Sequence, residues 1–252
     1  MGTISRTIAN ETAQTFEADG LKFRFINTDF KVYKTTADEI IILKPASFLR
    51  QYDHIFESAP TKNVLEFGVF EGGSIILFAL AYPDFKFAGI DIRPPSEDVL
   101  RHIRDLGLSD RVKIYYQTSQ ADGDQIDRIV RDNFSDEGIG VISDDASHNY
   151  KLSKETLQFT FGKLAPGGAY CLEDWNWAHT VDPSQPHIWS DQPALTNLVF
   201  EIVMMYASTR GYIRKMEFLA PALMCIWRDA AALGRFDLDK LIRMRGKTLT
   251  LI

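Results

Sequence analysis

From residue 63 onward, short apolar runs alternate with longer amphipathic ones, and that rhythm restricts the chain more than any other feature. Strand-like runs fall at residues 63–67, 86–91, 112–116, 140–144 and 168–172, with helical segments between them at 74–81, 97–106, 125–133 and 152–163. Strands that each lead into a helix pair side by side through crossovers. This predicts an α/β fold, a doubly wound and mostly parallel sheet with helices on both faces. A longer helix follows at 194–208, with Leu195, Leu198, Val199, Ile202, Val203 and Tyr206 as its core stripe. Residues 213–219 and 222–228, parted by Ala220-Pro221, suit an antiparallel hairpin at the C-terminal edge of that sheet. A short helix at 238–243 and a terminal apolar strand complete the pattern.

Before residue 63 the pattern differs. Residues 1–20 are polar and read as loosely ordered, while 21–34 alternate around Asn27-Thr28-Asp29 as a hairpin or two short strands. Residues 45–58 read as a helix with Phe48, Leu49, Tyr52 and Phe56 on one stripe. The division expected is therefore an N-terminal extension over 1–44, which could serve as an oligomer or lid segment, and one domain over 45–252. Lys and Arg number 28 against 34 Asp and Glu, a net charge of −6, which argues against a nucleic-acid or membrane-surface binder. No apolar stretch is long enough to span a bilayer and no targeting signal is evident. Cys171 and Cys225 sit in apolar runs and read as buried thiols of a reducing, cytoplasmic setting.

The turn after the first core strand is rich in glycine: Glu66-Phe67-Gly68-Val69-Phe70-Glu71-Gly72-Gly73-Ser74. A turn of this kind, leading into a helix N-terminus at the carboxyl end of a parallel strand, is where open α/β sheets dock ligands. No Lys follows the last glycine and no second Gly follows Gly68 at the dinucleotide spacing, so neither a P-loop nor a pyrophosphate fingerprint is present. Glu66 suits a ligand bearing an ammonium group instead, and Asp91 at the end of the second strand suits ribose hydroxyls. A nucleoside with a cationic amino-acid tail fits, and S-adenosylmethionine is the candidate. Gly68, Gly72 and Ser74 then line its tail, with Ser119 and Gln120, after the third strand, placed for the adenine.

The next two strands end in acids: Asp144-Asp145-Ala146-Ser147-His148 and Glu173-Asp174-Trp175. Each residue has a plain reading as a turn acid, a helix cap or a hydrogen-bonded histidine. Together, four carboxylates at one sheet edge would repel unless a hard divalent cation such as Mg²⁺, Mn²⁺ or Ca²⁺ joined them. Trp175, Asn176, Trp177 and His179 suit either an acceptor surface or core packing, and residues 179–191 read as a lid.

The Gly68 turn, Asp91, Asp145-Ala146-Ser147-His148 and Glu173-Asp174-Trp175 together resemble the metal-dependent class I O-methyltransferases of natural-product biosynthesis, over roughly residues 45–228. The resemblance implies a Rossmann-like fold, S-adenosylmethionine also contacted by Asp145, and Mg²⁺ (or Mn²⁺) on Asp145, Glu173 and Asp174. It implies His148 as general base and a sugar hydroxyl of a small-molecule acceptor as the methylated group. It also implies a homo-oligomer, for which Phe23, Phe25, Phe30 and Tyr33 are the candidate contacts. A non-sugar diol or β-lactam-type acceptor, or a non-catalytic nucleoside-binding protein on the same fold, are the competing expectations.

Overall fold

The computed structural model describes residues 2–8, 14–26, 32–134, 137–180, 191–220, 222–230, 236–245 and 247–248. In chain order, α1 (Thr3–Thr7), β1 (Thr15–Ala18), β2 (Leu21–Phe25), β3 (Glu39–Ile42), α2 (Ala46–Leu49) and α3 (Gln51–Glu57) precede the alternating region. That region runs β4 (Asn63–Phe67), α4 (Gly73–Ala81), β5 (Lys86–Ile90), α5 (Glu97–Asp105), β6 (Val112–Tyr115), α6 (Gly123–Asn133), β7 (Ile139–Asp144), α7 (Tyr150–Thr160) and β8 (Leu164–Glu173). It closes with α8 (Thr196–Ser208), β9 (Ile213–Ala220), β10 (Leu223–Arg228), α9 (Leu238–Leu241), β11 (Arg243–Met244) and β12 (Lys247–Thr248).

The seven-stranded sheet has the order β6-β5-β4-β7-β8-β10-β9. The first five strands pair in parallel, and β10 lies antiparallel between β8 and β9. The expected doubly wound sheet with its C-terminal antiparallel hairpin is thus what forms. Alternation along each strand divides the core: Val64, Phe87 and Val141 face one layer, Leu65, Ala88 and Ile142 the other. Cys171 and Cys225 are register partners on β8 and β10, both buried and both free thiols. On α8 the buried stripe is Leu195, Leu198, Val199, Ile202 and Met205, whereas Val203 and Tyr206 are exposed, a correction to the expected stripe.

The N-terminal region departs most from expectation. Residues 3–7 are helical, and Ile4 and Ile8 have no exposed surface. The Asp53 carboxylate of α3 holds this helix by accepting the Ile4 and Ser5 N–H groups and the Ser5 hydroxyl at 2.6–2.9 Å. A hairpin forms between β1 and β2, turning at Asp19-Gly20; the expected turn at residues 27–29, with Phe30, lies outside the described residues. Phe23 is fully buried and stacks on Phe16 at 4.8 Å. Strand β3 then pairs in parallel with β2, and the chain passes through Lys44 into α2 and α3, which break at Arg50 where one helix was expected. Among the described residues no helix is long and apolar enough to cross a membrane.

Candidate functional site

The carboxyl ends of β4, β5, β7 and β8 meet at one edge of the sheet, and glycine lets them meet closely. Gly68 has φ +84°, and a Cβ there would lie 2.0 Å from the Asp145 carbonyl oxygen. The turn after β4 therefore lies backbone against backbone on the loop after β7. Gly72 (φ +77°) precedes α4. At Gly73 a Cβ would lie 2.2 Å from the Ile41 carbonyl oxygen, so this position seats β3 against the start of α4.

Glu66 is 2 % exposed. One of its oxygens accepts the Ser74 hydroxyl at 2.6 Å, and the other, Oε2, has no partner among the described residues. Burial pushes its pKa from 4.5 up to about 8, against the opposing pull of the Lys44 ammonium. A carboxyl whose pKa is raised on folding holds a proton that the unfolded chain has given up. Its contribution to stability is full below pH 4.5 and is lost as pH rises through about 8. Urea unfolding between pH 5 and 8 should therefore show wild-type stability declining relative to Glu66→Gln. Parallel curves for the two proteins would refute the raised pKa.

Asp91 is buried and accepts the Val69 and Phe70 N–H groups on Oδ2, at 3.0 and 2.8 Å, and the Arg93 N–H on Oδ1 at 2.8 Å. It thus shapes the glycine turn directly and keeps acceptor capacity on Oδ1. Gln120, expected near the adenine, is bonded within the protein. Its buried side-chain amide donates to Asp144 and Thr156, and its oxygen accepts the Ser147 N–H at 3.1 Å, so its polar atoms brace the β7 loop. Ser119 accepts the Ala121 N–H at 3.2 Å.

At the acidic edge, Asp144 turns inward to accept the Tyr170 hydroxyl at 2.7 Å, and burial pushes its pKa up to about 6. Asp145, His148, Glu173 and Asp174 come together. His148 Nε2 lies 3.8 Å from Asp145 Oδ1 and 3.8 Å from Asp174 Oδ2, and its ring lies 5.0 Å from that of Trp177. Its Nδ1 is buried with no partner among the described residues. His148 and Asp174 both have left-handed backbones, φ +51° and +52°. That conformation costs roughly 1–2 kcal/mol per residue and aims both side chains at the same space. Trp175 packs on Phe218, and His179 bonds Thr196 at 2.8 Å. Of the expected lid, residues 181–190, with Pro183, Pro186, His187 and Trp189, lie outside the described residues.

Three side chains at this edge were not among the expected site residues. The Lys44 ammonium, 6 % exposed by residue, sits 2.6 Å from Asp145 Oδ2 and 2.5 Å from Glu173 Oε2. The Tyr52 hydroxyl and the Ser143 hydroxyl, the latter at 2.7 Å, both donate to the other oxygen of Glu173. A three-carboxylate Mg²⁺ site needs open oxygens on Asp145, Glu173 and Asp174. Both Glu173 oxygens are engaged and an ammonium already bridges it to Asp145, so the residues present do not fit that ligand set. Among the described residues, the donors that could gather around an ion are Asp145, His148 and Asp174, within 4.8 Å of one another. That is a mixed nitrogen–oxygen set, not the all-oxygen one expected.

Residues 65–175 match a family model described as a methyltransferase domain. No curated protein matches the sequence. Among solved structures the chain is similar to the MycE methyltransferase of the mycinamycin biosynthetic pathway in complex with Mg and SAH, at 23 % identity and a TM-score of 0.52. That match covers 71 % of this chain and 49 % of the other, so this chain spans about half of its length. A further MycE structure also contains mycinamycin VI. The chain is similar as well to the O-methyltransferase TomG of Streptomyces achromogenes, involved in tomaymycin synthesis and in complex with SAM (18 % identity, TM-score 0.51, 73 % and 79 % covered). A Staphylococcus aureus protein described as a caffeoyl-CoA O-methyltransferase matches at 16 % identity and a TM-score of 0.56, with 76 % and 86 % covered. The fold is that of the class I methyltransferases.

Proposed function

We propose that this chain is an S-adenosylmethionine-dependent O-methyltransferase acting on a hydroxyl of a small-molecule acceptor, in the finer reading a sugar hydroxyl of a nucleotide sugar or glycosylated natural product. One observation carries the cofactor: Glu66 Oε2, a buried acceptor without a partner among the described residues, at the head of the glycine turn. A buried polar atom is stable there only if something meets it, and a cationic amino group would. Asp91, shaping the same turn from the next strand, remains the residue for the ribose. A homo-oligomer, a cytoplasmic setting, and the absence of nucleic-acid and membrane partners belong to the same reading.

Glu66 and Asp91 would hold S-adenosylmethionine in this crevice, where it would supply an electrophilic methyl group to the acceptor oxygen and leave as the neutral thioether. The acceptor's proton then needs a destination. His148 Nε2 is the proposed one, and the charge it gains would face the Asp145 and Asp174 carboxylates. A divalent ion, Mg²⁺ or Mn²⁺, draws support from the MycE complexes, whose own structures contain Mg. In this chain Glu173 is unsuited to hold one, and a His148 ligated through Nε2 could not also accept the proton.

Calorimetry with S-adenosylhomocysteine, followed by methyl-transfer assays against nucleotide sugars and glycosylated metabolites, tests this reading. The wild type should bind, and Asp91→Ala should weaken binding at least about tenfold, roughly 1.4 kcal/mol. With an acceptor found, His148→Ala should lower turnover by about 10²–10⁴ with its S-adenosylhomocysteine affinity unchanged. No binding by the wild type would overturn the cofactor reading. Full activity in His148→Ala would remove the base and leave the cofactor standing.

A further inference from the structure

We propose that Lys44 is the resident cation of the acidic edge, its ammonium taking the charge-neutralising place between Asp145 and Glu173 and so excluding a divalent ion from that pair. The placement is built, not incidental. Lys44 follows β3, whose Ile40, Ile41 and Ile42 are all buried, so its backbone is held by core packing. The missing side chain at Gly73 lets that strand lie on the start of α4, with Ile41 where a Cβ would intrude. From there the side chain reaches inward, 7 % exposed, and bonds carboxylates from two different strand ends. The Tyr52 and Ser143 hydroxyls fix the second oxygen of Glu173, so the carboxylate is oriented toward the ammonium.

The charge balance points the same way. The ammonium lies between carboxylates carried on two strand ends, at 2.6 and 2.5 Å. One ammonium between two carboxylates leaves Asp174 opposite His148, so each cationic or basic group at this edge has an acid facing it. An ammonium has three N–H donors, of which the carboxylates take two. The third is available to a single acceptor oxygen. A divalent ion could chelate two vicinal oxygens, whereas a lysine holds them one at a time. This extension to the acceptor rests on the methyl-transfer reading. The exclusion of metal does not, and it predicts that a lone hydroxyl serves as well as a vicinal diol.

The test is a titration of the full-length protein with Mn²⁺, followed by electron paramagnetic resonance, for wild type, Lys44→Met, Lys44→Arg and Glu173→Gln. Wild type and Lys44→Arg should show no stoichiometric site in the submillimolar range. Lys44→Met, which frees both carboxylates, should bind at least about tenfold more tightly. Submillimolar stoichiometric binding by the wild type that Glu173→Gln weakens overturns the proposal, and so does a gain below tenfold in a folded Lys44→Met protein. If Lys44→Met does not fold, the wild-type and Glu173→Gln titrations decide. Calorimetry with S-adenosylhomocysteine on the same wild-type sample keeps the two claims apart: loss of cofactor binding would sink the methyltransferase reading and leave the Mn²⁺ result to judge Lys44.

Discussion

Glu173→Ala is expected to lower the unfolding free energy by about 3–5 kcal/mol, the cost of breaking a buried ion pair from one side. The residue is 2 % exposed, and three donors converge on it: the Lys44 ammonium and the Tyr52 and Ser143 hydroxyls. Removing the carboxylate leaves the two buried hydroxyls with only each other, 2.8 Å apart, and leaves the ammonium with Asp145 as its one remaining carboxylate partner. Urea denaturation at neutral pH measures the effect. Adding Lys44→Met should recover part of the loss, because the stranded charge leaves with its partner. A double variant whose cost equals the sum of the single ones would show that the two side chains act independently. A single-variant loss below about 1 kcal/mol, the value of an exposed pair, would place the ammonium in solvent.

Gly68→Ala should be the most damaging glycine substitution, costing at least about 3 kcal/mol and abolishing S-adenosylhomocysteine binding. Two penalties coincide. The backbone is left-handed, φ +84°, and the new Cβ would lie 2.0 Å from the Asp145 carbonyl oxygen and 2.8 Å from the Ala146 Cα. Those are backbone atoms at the ends of β7, which no rotamer change can move. Gly107 supplies the control: its φ is +67° but nothing lies within 4 Å of its Cβ position. Gly107→Ala should cost only the strain of the left-handed backbone, about 1 kcal/mol. Similar losses for the two variants in chemical denaturation would mean that the close approach at Gly68 contributes nothing.

The alternating region was legible because its information is local. Residues 63–67 form β4 as expected, and β5, β6 and β7 end within one residue of expectation, since each apolar run is bounded by its own turn residues. Strand β8 begins four residues early, at Leu164, because Pro166 and Gly167 look like a break while the neighbouring β7 continues to pair across it. The N-terminal helix was not legible at all. Five residues without an amphipathic repeat carry no helical signal, and the helix exists because Asp53, nearly fifty residues later, accepts its N–H groups.

The site divides along the same line. Glu66, Asp91, Asp145, His148, Glu173 and Asp174 could be picked out because strand ends at one sheet edge are predictable from topology. The bonds of Gln120 to Asp144, Thr156 and Ser147 were not legible, since a polar side chain after a strand looks the same whatever it meets. Lys44 was missed for a deeper reason. A lysine closing an apolar run before Pro45 looks like a surface residue, and only the fold brings two carboxylates to it.

The two bonds made by Lys44 span 101 and 129 residues of sequence, among the longest connections in the chain. Loops of that length close late, after local strands and helices have formed and their entropy has been lost. Contact order alone predicts that the acidic edge is completed when the N-terminal strands dock on the sheet, and stopped-flow refolding of Lys44→Met against wild type would test it by whether the folding or the unfolding rate changes. In that order of events Asp145 and Glu173 would stand at one edge before their shared counter-charge arrives, and the N-terminal strands would be what delivers it.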